Sequence, residues 1–180
     1  MKIRIALAAL FGVLAVLGAV LVFWVSDSDD ELGGRFDAGL QSEYAPGSIA
    51  YFEKQHVHLI RLTDGEFLAL YDWDAWAQAQ YRKGNVGMEQ CRVGILPKDD
   101  AAYEGDLQAI RADYAPVEGL EDIVLRGGCG IVFDPLGRRA LGPAPADLDR
   151  FKVSVDRAGH VIIDLAQRVC DVDSPCLPNR

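Results

Sequence analysis

The chain has 180 residues, a length that suits one modest domain and an accessory segment. Its 27 acidic residues outnumber 18 basic ones for a net charge of −9. That argues against a nucleic-acid-binding surface and against a face lying on anionic lipid, since both need basic side chains. Acidity fits steering toward a basic partner, but it is also a common solubility device.

The chain begins with a long apolar run. From Ile5 to Val25 there are 21 consecutive residues without a charge, enough for a helix to cross a bilayer core of about 30 Å. Lys2 and Arg4 precede the run and Asp27, Asp29, Asp30 and Glu31 follow it. This asymmetry keeps the N-terminus in the cytoplasm and sends the remainder outside, periplasmic or extracellular. The competing reading is a cleaved signal peptide, whose apolar core is shorter and ends in small residues. This run ends in Phe23-Trp24-Val25, which suits an interfacial anchor. Ala8, Gly12, Ala15 and Ala19 form a stripe of small residues that lets a second helix approach closely in lipid, although Ala is common in any membrane span.

The expected domains are an anchor over 1–26, a linker over 27–47 and a folded domain over 48–180. The linker reading rests on a polar, Gly-bearing stretch without clear period. From Ile49 the pattern changes to that of strands, in "SIAYFEKQ", "HVHLIRLTD" and "GEFLALYDWD". Thr63-Asp64-Gly65 is a hairpin turn between the last two. Near the other end "FKVSVD" and "HVIIDL" flank a second turn, Arg157-Ala158-Gly159. The middle, 73–145, is rich in Gly, Pro and polar residues, with one helix expected near Tyr103 to Tyr114. The predicted fold is all-β: an antiparallel sheet base with a loop-rich insertion between its strands, preceded by one transmembrane helix.

Four cysteines, Cys91, Cys129, Cys170 and Cys176, lie beyond the anchor, where an oxidising compartment permits disulfides. Three connectivities are open. Cys170 and Cys176 bracket a short loop that a bridge could clip, which would leave Cys91 with Cys129.

Several clusters carry a sharp reading and a bland one. His56 and His58 alternate at strand spacing with Glu53 nearby, which suggests a two-His carboxylate metal site or simply the polar face of an exposed strand. Asp72 and Asp74 could be paired carboxylates for acid–base work, or a polar turn. Trp73 and Trp76 suit an aromatic docking surface or local packing. The run Arg126 to Gly130 lacks the spacing of a phosphate-binding loop. There is no G-x-S-x-G elbow and no H-E-x-x-H, so nothing supports a hydrolase.

The stretch "VFDPLGRRALGPAPADLDRF" carries a more specific frame. Phe133, Asp134, Gly137, Gly142, Pro143, Ala144, Pro145, Leu148 and Phe151 occupy an F-D-x-x-G-x-x-x-x-G-P-A-P-x-x-L-x-x-F pattern. Together with "HLIRLTDGEFLALYD", this resembles the Rieske iron–sulfur domain family, in particular its respiratory-type subunits, over His58 to Leu165. The resemblance implies a fold in which two loops present C-x-H and C-x-x-H ligands to a [2Fe–2S] cluster. At the matching positions this chain has Asp74 and Trp76 in the first loop, and Arg126 and Cys129 in the second. Ala79 stands where many respiratory members carry a disulfide cysteine. The histidines His56, His58 and His160 all map to the sheet base. The expectation is a fold kept and a cluster lost, with no cofactor and no catalytic residue.

The implied function is that of a non-catalytic accessory subunit. An extracytoplasmic, disulfide-stiffened tip, with Trp73, Trp76, Pro143 and Pro145 as docking candidates, would join an integral membrane redox complex. Two other readings stand beside it: an active Rieske centre with non-standard ligands, and an anchored envelope interaction domain unrelated to electron transfer.

Overall fold

The computed structural model describes residues 34–169. The anchor, its small-residue stripe, Cys170 and Cys176 lie outside the described residues. Among the described residues no helix is long and apolar enough to cross a membrane.

Strands dominate, and every pairing is antiparallel. In chain order they are β1 (Arg35–Leu40), β2 (Ser48–Phe52), β3 (Val57–Arg61), β4 (Phe67–Tyr71), β5 (Val93–Ile95), β6 (Leu125–Gly127), β7 (Ile131–Phe133), β8 (Arg139–Leu141), β9 (Arg150–Val155) and β10 (His160–Val169). Two helices interrupt them, α1 (Ala75–Arg82) and α2 (Tyr103–Asp113). Six strands form the base sheet in the order β1-β10-β9-β4-β3-β2, and four form a second sheet in the order β5-β6-β7-β8. The second sheet is inserted between β4 and β9, which pair directly through Ala69 with Phe151 and Leu70 with Arg150.

The two expected hairpins are present. β3 and β4 turn through Leu62 to Glu66, where Gly65 takes φ +93° and donates to Leu62 O at 3.0 Å. β9 and β10 turn at Asp156, whose carboxylate accepts from the backbone N–H groups of Ala158 and His160.

Runs such as "VHLIR" and "FLALY" are too apolar for a half-exposed sheet, and β3 and β4 are indeed covered on both faces. One parity, Val57, Leu59, Ala69 and Tyr71, packs in a core with Phe151, Val161 and Ile163. The other, Ile60 and Leu70, packs against Val93, Leu125, Ile131 and Phe133 of the inserted sheet. Burial of each such side chain is worth about 1.5–3 kcal/mol. On the far face of the inserted sheet, Tyr103, Leu107 and Ile110 of α2 cover Val124 and Val132.

Three expectations are corrected. The linker over 27–47 does not run unbroken, because Arg35–Leu40 forms an edge strand on β10 with Arg35 paired to Asp164 at 2.9 Å. Its sequence does alternate, with Phe36 and Ala38 set inward between Arg35 and Asp37, but over only a few residues; a partner more than a hundred residues away supplies the pairing. The insertion is a four-stranded sheet with a helix on each flank of β5, where a loop-rich segment was expected. Strands of three residues are too short to show period 2. His56 is not on a strand: it sits in the turn before β3 at φ +57°, the one non-glycine residue with positive φ among those described.

Candidate functional site

The positions that the Rieske resemblance assigns to cluster ligands lie in and around the inserted sheet. Asp74, expected in a polar turn, is the N-cap of α1. Its Oδ1 accepts from Trp76 N at 2.9 Å and Ala77 N at 3.0 Å, which satisfies the first N–H groups of the helix. Trp76 lies in the first turn of α1 and packs against both cores flanking β3 and β4. Trp73 is buried, lies against Tyr81 with the rings tilted and their centroids 5.3 Å apart, and donates from Nε1 to Met88 O at 3.2 Å. Packing therefore accounts for both tryptophans, and Trp73 is too covered to serve as a docking surface.

The second loop is closed. Cys129 is disulfide-bonded to Cys91, with Cα atoms 4.8 Å apart. The bridge thus comes from the 3-10 turn Met88–Cys91 rather than from position 79, which lies inside α1. Cys91 and Cys129 were the pair left over by the C-terminal cysteines, and the structure joins them. Two glycines make the approach possible. A Cβ on Gly128 would stand 1.9 Å from Gln90 O, and one on Gly142 would stand 2.7 Å from Gly130 O. The "RGGCG" run is a seam where three backbone segments touch. A Gly128→Ala substitution is expected to cost roughly 1–3 kcal/mol, as overpacking does. A denaturant midpoint unchanged from wild type would contradict this close approach.

Arg126 is in β6, opposite Val132, and reaches over to α2, where its guanidinium pairs with the Asp106 carboxylate. It does not point at the loop seam.

A Rieske centre needs two thiolates and two imidazoles. The corresponding side chains here are a helix cap, a packed indole, an ion-paired guanidinium and a disulfide sulfur. Where loops would have to part around the group, backbone lies against backbone. These residues do not fit a [2Fe–2S] cluster. Among the described residues no three His, Cys, Asp or Glu side chains converge as a metal site.

A second polar cluster lies where the base sheet hands over to the insertion. The Asp72 side chain is fully buried and accepts from the Tyr51 hydroxyl at 2.6 Å, Arg92 Nη1 at 2.6 Å and His56 Nδ1 at 3.1 Å. Its own backbone binds on both sides, Asp72 N to His56 O at 2.9 Å and Val93 N to Asp72 O at 2.6 Å. Arg92 lies 4.7 Å over the Trp73 ring. Burial and the Asp72 bond hold the Tyr51 phenol well above its ordinary range. His58, expected on an exposed face, is buried, stacks on Tyr51 and donates from Nε2 to Val93 O at 2.7 Å. Burial lowers its pKa and so disfavours the charged imidazolium. Glu53 contributes through its carbonyl, which accepts from His56 N. His56 binds the Asp72 carboxylate, whereas His58 is held by Tyr51 and the Val93 carbonyl.

Asp72 and Asp74 do not act as a pair. The carboxylate that couples to Asp74 is Asp149, itself bound to Arg168. Burial pushes Asp74 up against the pull of its capping N–H groups, and the Asp149 charge adds to the rise. A carboxyl with a folded pKa above its unfolded value of about 3.9 holds its proton more tightly in the fold. Its contribution is greatest at low pH and is lost as pH rises through the folded pKa. Asn keeps the capping oxygen without the charge. Asp74→Asn is expected to gain stability relative to wild type as pH rises from about 4 toward 7. Urea midpoints of both proteins over that range check this, and a pH-independent difference contradicts it.

Pro143 and Pro145 are exposed on either side of buried Ala144. Tyr51, Arg92, Asp149 and Arg168 were not singled out from sequence. Asp74 carried a usable signal, an N-cap residue followed by Ala and Gln and closed by Lys83-Gly84.

No family model matches the chain, and no curated protein matches it. Among solved structures it is similar to one from Mycobacterium tuberculosis described as the small subunit of an NADH-dependent nitrite reductase. The identity is 13%, over 72% of this chain and 92% of that chain, with a TM-score of 0.35.

Proposed function

We infer that this chain is a membrane-anchored, extracytoplasmic Rieske-like domain that carries no [2Fe–2S] cluster and serves as an accessory subunit of a membrane electron-transfer complex. The observation that carries this reading is the fate of the four ligand positions. Asp74, Trp76, Arg126 and Cys129 are each committed to a structural contact, around a frame whose F-D-x-x-G and G-P-A-P segments are retained.

That frame has a mechanical role of its own. Asp134 caps its turn by accepting from Leu136 N, Arg138 N and Arg138 Nε, and Gly137 takes φ +77° against Leu70 and Leu148. The G-P-A-P loop then lies along the disulfide seam with its two prolines outward. The result is a stiff tip presenting Pro143 and Pro145, suited to fixing a position on a partner rather than passing electrons. The uncharged run from Ile5 to Val25 supports the lipid anchor, and the retained frame supports a redox partner.

Affinity purification of the full chain from gently solubilised membranes tests the assignment. Cytochromes or other redox subunits are expected to co-purify. A reproducible partner set with no redox protein would favour an envelope interaction domain and overturn the accessory-subunit reading.

A further inference from the structure

The disulfide seam holds a third sulfur. Met88 opens the 3-10 turn that ends in Cys91, and its Sδ lies 3.8 Å from Cys91 Sγ. Cys129 Sγ is bonded to Cys91 Sγ, so three sulfurs share one spot. Their surroundings are apolar, with Cys91 buried in the base core and Met88, Cys129 and Trp76 packed against it. The Met88 backbone is pinned by Trp73 Nε1. We propose that reduction of the Cys91–Cys129 bond unmasks a three-sulfur site, Cys91, Cys129 and Met88, for one soft monovalent cation of the Cu(I) type.

Ligand chemistry and spacing both point this way. Thiolate and thioether donors in a dry setting select Cu(I) over hard cations. Three sulfurs about 2.3 Å from a central ion stand about 4 Å apart, close to the separation already present between Met88 and Cys91. Cys129 is half-buried beside exposed Gly128. With a phosphine reductant, phosphorus gives an electron pair to the disulfide, water supplies the oxygen that leaves as phosphine oxide, and its two protons end on the two thiols. A bound Cu(I) displaces those protons as the thiolates form. The oxidised chain offers no thiolate and does not bind. This inference is independent of the accessory-subunit reading, because it concerns a mononuclear ion without sulfide.

The test uses the full chain in detergent with Cys170→Ser and Cys176→Ser, so that the seam holds the only thiols. After phosphine reduction and anaerobic desalting, Cu(I) is titrated in competition with a chromophoric Cu(I) chelator. One Cu(I) per chain is expected in the reduced protein and none in the oxidised protein. Met88→Leu, which keeps the disulfide and the packing volume, should weaken competition by roughly tenfold or more. No competition by the reduced chain, or equal competition by Met88→Leu, overturns the site. The second outcome would mean a pair of loose thiols, which an unfolded chain would also offer.

Discussion

Asp72→Ala is expected to lower stability by about 3 kcal/mol, the low end of the cost of leaving a buried charge without its partner. The low end applies because Arg92, His56 and Tyr51 each retain some access to water, whereas the Asp72 side chain has none. The loss has two parts. Three donors aimed at one carboxylate lose their acceptor, and a seam between modules opens, since the node joins β2, the turn before β3, the end of β4 and the entry to β5. Asp72→Asn should fall between wild type and alanine, because an amide oxygen still accepts but carries no charge. Urea midpoints order the three proteins. The Tyr51 phenol gives an independent readout: without Asp72 its pKa should move down toward about 10. A midpoint for Asp72→Ala within about 0.5 kcal/mol of wild type, typical of a surface change, would contradict the role assigned to the node.

Removal of the disulfide is expected to be at least as costly. Cys91 and Cys129 are 38 residues apart, and the chain-entropy estimate for a loop of that length is about 4 kcal/mol. The loop contains β5, α2 and β6, so the bridge closes the inserted sheet on itself. A Cys91→Ala/Cys129→Ala double variant should therefore show a lower denaturant midpoint, and reduction of the wild type should approach the same value. Equal midpoints for oxidised wild type and double variant would show that backbone packing alone holds the seam.

What could be read from sequence was local. β3 and β4, β9 and β10 and their turns, and the Tyr103–Asp113 helix all announce themselves through apolar runs, Gly at the turns and a 3–4 spacing. So did the nesting of an insertion between base strands. Hidden were the features created by partners far along the chain. β1 is a strand because β10 is there, and Arg126 is neutralised by Asp106 of a helix rather than left facing a site. His58 became a core imidazole because Tyr51 and the Val93 carbonyl close over it. The substitutions at the four ligand positions were legible as text, but their structural uses were not. Only the fold shows that Asp74 caps a helix and that the "RGGCG" glycines serve a backbone seam.

In this chain the frame persists without its cluster. Iron and acid-labile sulfide, measured on the full chain purified in detergent, test it most directly, with an EPR spectrum of the reduced protein. Neither iron nor sulfide above background is expected, and no Rieske-type signal. Two irons per chain with that signal would contradict it.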